Sequence, residues 1–105
     1  MQKVTMTIGH KIGLVEALDS AAICAAITAT LAIDAFTAIP CVGMWKGIPE
    51  NSTRIEVVCD ESEANRIAGL VPTLAWQLNQ EAIMLEVAPC AVSFPTAVVP
   101  ALAMA

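Results

Sequence analysis

The sequence is poor in charge and in aromatic side chains. Only 14% of its 105 residues are charged, tyrosine is missing, and phenylalanine and tryptophan occur twice each. Ordinary globular proteins are about 25% charged and about 45 to 50% apolar, whereas this chain is 57% hydrophobic. A small monomer cannot cover so much apolar surface, so part of it is predicted to lie between subunits. A homo-oligomer, either a trimer or a dimer, is therefore expected.

Basic side chains are especially scarce. Five Lys and Arg residues stand against ten Asp and Glu residues, which leaves a net charge of -5. An acidic surface repels a phosphate backbone, and no cluster of basic residues interrupts it. Nucleic acid is therefore not predicted as a partner.

Long apolar runs that could span a bilayer are also missing. Residues 20–33 carry no charge, but this run is shorter than the ~20 residues that a membrane helix needs. Residues 87–105 are uncharged as well, and Pro89, Pro95 and Pro100 interrupt them, which would leave backbone groups unpaired in lipid. The first residues alternate between polar and apolar side chains instead of following the plan of a signal peptide. No membrane partner and a cytoplasmic location are predicted.

The common catalytic and metal-binding motifs are absent. No glycine-rich phosphate loop, nucleophile elbow or H-x-x-x-H pair is present, and the cysteines never have the C-x-x-C spacing. They lie inside apolar runs, so buried thiols in a reducing compartment are predicted, with paired disulfides as the alternative. No metal and no cofactor are predicted. The four cysteines are Cys24, Cys41, Cys59 and Cys90.

Two strand patterns joined by a turn occupy the middle of the chain. Residues 36–45 are rich in β-branched and other apolar side chains, and Pro40, which cannot donate to a ladder, predicts an edge strand. Residues 53–59 alternate between apolar and polar side chains, as a half-buried strand does. Between them, residues 46–52 concentrate Gly, Pro, Asn and Ser, which favour a turn. An antiparallel pair is therefore predicted.

A strand and a helix are predicted on each side of this pair. Residues 3–9 and 82–88 alternate as strands do. The Ala-rich residues 16–33 predict a helix, which can alternatively begin at the cap offered by Asp19 and Ser20. A second helix is predicted over residues 61–79 after the cap at Asp60.

Gly69 and Pro72 are unusual in that second helix. Both residues disfavour a regular helix, so a kink near residues 70–72, or a division into two shorter helices, is predicted. The apolar tail at residues 95–105 is predicted to dock on another surface.

The order of elements predicts an α+β fold in one domain, residues 1–105. Four strands and two helices in the order βαββαβ form a ferredoxin-like sandwich, a four-stranded antiparallel sheet with two helices on one face. The second face is left uncovered, and Arg54 is expected to pair there with Glu56 or Glu86. The side chains predicted on it are those of Thr5, Thr7, Arg54, Glu56, Val58, Met84 and Glu86.

Residues 53–61, which read TRIEVVCDE, resemble the strand-into-helix junction of the PII-like signalling proteins, which are trimers of this fold. The plan of elements is also similar to those of the CutA-like trimers, the ACT regulatory domains and the small dimeric α+β barrel enzymes. The long loop of the PII family and its glycine-rich nucleotide-contacting segments are absent here, so binding of ATP or 2-oxoglutarate is not implied.

Two places in the chain carry candidate site residues. His10 lies in a glycine-flanked loop, residues 9–13, and titrates near neutral pH, which suits an acid or base; the alternative is a surface residue. Lys11 beside it can attract an anion. The hairpin tip offers an aromatic platform with both signs of charge for a polar ligand or partner, and the alternative is a tryptophan packed on a neighbouring subunit. The candidate contact residues are His10, Lys11, Trp45, Lys46, Glu50 and Arg54.

Excess apolar surface without a catalytic motif favours an oligomeric, non-catalytic binding or regulatory protein. Its sites would lie at subunit boundaries and take a small molecule or a protein. The alternative is a small enzyme of the dimeric α+β barrel type that uses His10 as acid or base. In the first interpretation no residue is catalytic.

Overall fold

Four long strands and two helices follow one another along the chain in the order βαββαβ. The computed structural model of the protein describes residues 1–98. Two short strands between the first long strand and the first helix complete the described part. The elements are β1 (Gln2–Gly9), β2 (Lys11–Ile12), β3 (Val15–Glu16), α1 (Ser20–Leu31), β4 (Thr37–Trp45), β5 (Ile48–Cys59), α2 (Glu61–Gln77) and β6 (Met84–Pro89).

The long strands form one antiparallel sheet in the order β4-β5-β1-β6. Met6 at the centre of β1 lies opposite Ile55 of β5 and Leu85 of β6. The structure confirms the predicted α+β class with a four-stranded antiparallel sheet and two helices, and it is consistent with a ferredoxin-like fold. Pro40 lies in the edge strand β4, where its missing N–H group is tolerated.

The helices cover one face of this sheet. Alternation along β1 directs Val4, Met6 and Ile8 to the helix side, and all three are fully buried. The helical residues of the same cluster recur at spacings of three and four, as on one face of a helix. They are Ile23, Ile27 and Leu31 of α1 and Ala64, Ile67, Val71 and Leu74 of α2.

The opposite face carries the mixed side chains that alternation predicts. Thr5 and Thr7 of β1 lie opposite Glu56 and Arg54 of β5. Glu56 accepts ion pairs from Arg54 at 3.3 Å and from Lys3 at 3.4 Å. The predicted pair between Arg54 and Glu56 is therefore present, and a third charge joins it.

The hairpin between β4 and β5 is tighter than predicted. Residues 46–52 do not form the turn; Lys46 and Gly47 alone make it, with φ of 51° and 78°. Two consecutive positive φ values match the twist of the strands, so the ladder continues almost to the tip. Asn51 and Ser52, read as turn residues, are paired in β5.

The first helix starts later than residue 16. Asp19 caps it, because its Oδ1 accepts a hydrogen bond from the backbone N–H of Ala22 at 2.8 Å. The residues before the cap pair as a small hairpin, β2 with β3, instead of a loop over residues 9–13. Gly13 in its turn has φ of 62°, which glycine adopts without strain.

The second helix is one element. It runs from Glu61 to Gln77 across Pro72, so the alternative of two shorter helices is wrong, while the kink near residues 70–72 stays a prediction. Buried side chains on both sides of the proline, among them Ile67 and Leu74, hold the helix against the sheet, and this packing outweighs the local preference.

The C-terminal part of the chain has little regular structure. β6 begins at Met84, two residues later than predicted, and residues 91–98 are exposed without regular structure. Of the predicted tail, residues 99–105 lie outside the described residues. No helix within residues 1–98 is long and apolar enough to cross a membrane.

Substitution of Asp60, the N-cap residue of α2, is expected to lower the stability of the protein. Asp60 Oδ1 accepts a hydrogen bond from the Glu63 N–H at 2.8 Å, and we expect Asp60→Ala to lower the free energy of unfolding by about 1 kcal/mol. Urea denaturation measures this change. Asp34→Ala removes the same charge from an exposed position between elements and serves as control; equal stabilities of the two variants would contradict the capping role.

Candidate functional site

An open cleft of about 690 Å³ lies at one end of the sheet. The end of β1, the β4–β5 turn and the segment between α2 and β6 meet there. The lining residues of the two central strands, Thr7, Gly9, Glu50 and Ser52, alternate onto the sheet face that the helices leave uncovered. The sheet therefore forms the floor of the cleft, and turns and loops form its walls.

Glu50 brings a carboxylate into this cleft. Gly9 lies beneath it, and a Cβ at Gly9 would collide with the carboxylate of Glu50. The Lys11 N–H group donates to Glu50 Oε1 at 3.4 Å. Any side chain at position 9 would therefore displace the half-buried carboxylate of Glu50.

Trp45 supplies the aromatic part of the wall. Its side chain is 52% exposed, and Lys46 Nζ lies 5.7 Å from the ring centroid in a cation–π contact. Met44 and Met84 also line the cleft and are largely exposed. A flat aromatic ring flanked by flexible thioethers suits a planar apolar group.

Gln80 joins the walls of the cleft. Its Nε2 donates to the carbonyl of Lys11 at 2.9 Å, which ties the segment after α2 to the small hairpin. Asn79, with φ of 53°, and Glu81 line the same wall. The cleft therefore presents amide groups and a second carboxylate opposite Trp45.

His10 lies outside this lining. Its Nε2 is 2.7 Å from Thr53 Oγ1, which is in turn 2.7 Å from Ser20 Oγ. Thr53 is fully buried and alternates with Ser52 onto the helix side of β5. His10 therefore joins β1 to β5 and to the start of α1 behind the floor of the cleft.

A second set of contacts surrounds His10. Glu16 Oε1 lies 3.8 Å from His10 Nδ1 and accepts from Asn51 Nδ2 at 2.6 Å, while the His10 N–H donates to the Asn51 carbonyl at 2.8 Å. With its proton on Nδ1, facing Glu16, neutral His10 accepts from Thr53, and Thr53 accepts from Ser20. Both hydroxyl groups and His10 Nε2 then have hydrogen-bond partners, so the network can hold the strand ends in place.

The predicted site residues divide into three groups. Lys11, Trp45 and Glu50 line one cleft, and Lys46 borders it through Trp45. His10 lies behind the floor, and Arg54 lies outside the lining, in its ion pair with Glu56. The cleft residues that sequence reasoning missed include Gln80, Asn79 and Met84. The polar pair Asn79-Gln80 at the end of the helix predicted over residues 61–79 was the available signal.

Metal ligands do not converge at this cleft. Within residues 1–98, no group of three or more His, Cys, Asp or Glu side chains is arranged to hold a metal ion. All four cysteines are free thiols. Burial and the nearby carboxylates of Glu63 and Asp60 raise the pKa of the Cys59 thiol, which keeps it protonated.

The fold and its cleft place the chain among small α+β proteins with an antiparallel sheet backed by two helices. Two solved structures of a phage SAM lyase share this fold. The lyase in complex with S-methyl-5'-thioadenosine has a TM-score of 0.60 at 17% identity, over 83% of this chain and 79% of that chain. The apo lyase has a TM-score of 0.59 at 20% identity, over 83% and 78%. No protein family and no curated protein sequence matches the chain.

These comparisons correct one expectation and leave a second unconfirmed. The two solved structures named above are of an enzyme, so the prediction of a non-catalytic binding module is contradicted and the alternative, a small enzyme, is better supported. The resemblance to the PII-like and CutA-like proteins is not confirmed beyond the general fold plan. The absence of known motifs misled the prediction because the chemistry of a cleft can be assembled from residues far apart in the chain.

Proposed function

We propose that the chain is an enzyme that binds S-adenosylmethionine (SAM) in the cleft and cleaves it as a lyase. The observation that carries this function is the meeting of Trp45 and Glu50 in one cleft on a fold shared with a SAM lyase. The aromatic ring can stack on the base of a cationic nucleoside, and the carboxylate can attract its positive charge.

The chemistry of SAM matches the walls of the cleft. Its adenine can stack on Trp45, and the amides of Asn79 and Gln80 can bond to the edge of the base. Its sulfonium and ammonium groups are positive, and Glu50 and Glu81 supply negative charge. Its carboxylate can pair with Lys11 on the same wall. The net charge of the chain, -5, also favours a cationic ligand.

The bond to be broken joins the sulfonium sulfur to the γ-carbon of the amino acid part. The bonding electrons return to sulfur, which becomes the neutral thioether of S-methyl-5'-thioadenosine. The γ-carbon is either attacked by the substrate's own carboxylate, which forms a lactone, or becomes part of a double bond when a base removes a proton from the β-carbon. The first route needs a folded substrate and no base, while the second needs a carboxylate such as Glu50 or Glu81 near the β-carbon.

Self-association and a cytoplasmic location belong to the same proposal. Large apolar side chains, among them Val42, Phe94 and Val98, remain exposed in the single chain, and their burial between copies supports a homo-oligomer. The four free thiols suit a reducing compartment.

Incubation of the full chain with SAM, followed by chromatography, tests the activity directly. We expect S-methyl-5'-thioadenosine together with either a lactone or an unsaturated amino acid, and the second product separates the two routes. Calorimetric titration with S-methyl-5'-thioadenosine tests the site independently of turnover. Absence of both turnover and binding in the folded protein would overturn the proposal.

The variant Trp45→Ala tests whether the ligand binds in the cleft. Loss of a base stacked on an aromatic ring costs about 1 to 3 kcal/mol, so affinity for S-methyl-5'-thioadenosine should fall by roughly 5- to 150-fold. Trp76→Ala removes the other tryptophan, which is exposed and lies outside the lining of the large cleft. Equal losses in the two variants would contradict binding at Trp45.

A further inference from the structure

The segment after β6 leaves the sheet as an exposed apolar strap, which we define as residues 91–98. The Cys90 N–H donates to the carbonyl of Met1 at 3.0 Å, the last backbone contact of this edge. Beyond it the side chains of Phe94 and Val98 are 81% and 90% exposed, and residues 91–98 carry no charge. Exposed apolar side chains on an uncharged segment are typical of a surface that contacts another molecule.

A second uncovered apolar surface lies on the far edge of the sheet. Ala38, Pro40 and Val42 of β4 lie opposite Ile55, Thr53 and Asn51 of β5. The helices bury Ile55 and Thr53, but they leave the three β4 side chains exposed. We call Ala38, Pro40 and Val42 the β4 shelf.

The edge formed by β4 lacks the usual protection. Natural edge strands carry charges, most often lysine, that block pairing with another chain. The nine residues Thr37–Trp45 include no charged residue, and Pro40 is the one local deterrent to strand addition. An uncharged edge beside an apolar shelf is suited to permanent burial.

We infer that the strap of one copy docks on the β4 shelf of a second copy, with Phe94 as the anchor. Both surfaces are apolar and uncharged, and neither has a partner within the described chain. An aromatic side chain that enters a desolvated site is the kind of residue that dominates interface energy. This inference rests on the self-association proposed above and is independent of the lyase activity.

The topology favours a second copy over the same chain as the recipient. The strap leaves from β6 at one edge, and the shelf belongs to β4 at the other edge, with β5 and β1 between them. Three strand spacings of about 4.8 Å separate the edges, and α1 and α2 cover the sheet face between them. Two copies that exchange straps reciprocally form a dimer, and exchange in one direction around three copies forms a trimer.

Sedimentation of the full chain and of three variants tests the contact. We expect the full chain to be oligomeric, and truncation after Cys90 or Val42→Glu to yield monomers. Phe94→Ser should raise the dissociation constant about 30-fold, the effect of losing an anchor worth about 2 kcal/mol. Leu14→Ser removes another exposed side chain, at 91%, from the β2–β3 turn and should leave assembly unchanged.

Two substitutions that introduce opposite charges test whether assembly can be restored. Phe94→Lys and Val42→Glu should each dissociate the oligomer, and the double variant should reassociate, because each contact then joins opposite charges. A cooperative urea unfolding transition in each monomeric variant shows that the chains remain folded, at a midpoint lowered by the loss of assembly.

The outcomes of these experiments distinguish self-association, the strap contact and the lyase site. A monomeric full chain would overturn self-association and the strap contact together. An oligomer that survives the truncation would overturn the strap contact alone. Titration of the same samples with S-methyl-5'-thioadenosine reports on the lyase site separately.

Discussion

Glu50→Gln is expected to weaken binding of SAM by about tenfold or more and binding of S-methyl-5'-thioadenosine by far less. The carboxylate faces the cleft over Gly9, and a hydrogen bond to a charged group contributes about 1.5 to 3 kcal/mol. SAM carries a sulfonium and an ammonium group, whereas the thioether product is neutral. The substitution removes a charge and keeps the shape, so the difference between the two ligands isolates the electrostatic contribution.

Calorimetric titration of both ligands measures this difference, and steady-state kinetics divides it between KM and kcat. A rise in KM alone assigns Glu50 to holding the substrate's positive charge, and a fall in kcat assigns it to the chemical step. Glu61→Gln is the matched control, because it removes the same charge from the exposed start of α2. If Glu50→Gln weakens both ligands equally, the carboxylate does not recognise positive charge.

Thr53→Val is expected to lower the free energy of unfolding by about 1 to 3 kcal/mol, the cost of leaving buried polar groups without partners. Thr53 is fully buried, and its hydroxyl is the link between His10 Nε2 and Ser20 Oγ. Valine fills nearly the same volume, so packing is kept while the two hydrogen bonds are lost. Urea denaturation measures the loss.

Thr73→Val provides the comparison, since Thr73 lies exposed on α2 and the same exchange there should change stability by less than about 0.5 kcal/mol. Equal stability of Thr53→Val and the native chain would contradict the structural role of the network. Turnover of SAM by the folded Thr53→Val variant then distinguishes a structural network from a catalytic one. Loss of kcat without loss of stability would instead place His10 in the chemistry, as in the predicted small enzyme with His10 as acid or base.

The cleft owes its position to two features of the fold. The β4–β5 hairpin reaches its tip through the two-residue turn at Lys46 and Gly47, which brings Trp45 and Glu50 to the end of the sheet. The segment after α2 closes the other side, where Gln80 bonds to Lys11. The first feature is local in sequence, but the second is not, since Gln80 and Lys11 are 69 positions apart.

Periodicity was a sound guide to the strands and helices because the burial of one face imposes it directly. The alternation of Val4, Met6 and Ile8 placed β1 in the core, and Pro40 placed β4 at the edge. Local preference failed where packing or turn geometry decided the outcome. Pro72 did not divide α2, and Asn51 and Ser52 joined a strand instead of a turn.

The sequence by itself determined the α+β class, the order of the elements and the two faces of the sheet, because each depends on the spacing of apolar residues along the chain. It also named Lys11, Trp45 and Glu50, together with His10, Lys46 and Arg54, as candidate contact residues. Only the tertiary structure decided that these three share one cleft while His10 lies behind its floor. Strand pairing sets such distances, and register depends on the burial of many residues at once, which no local pattern encodes.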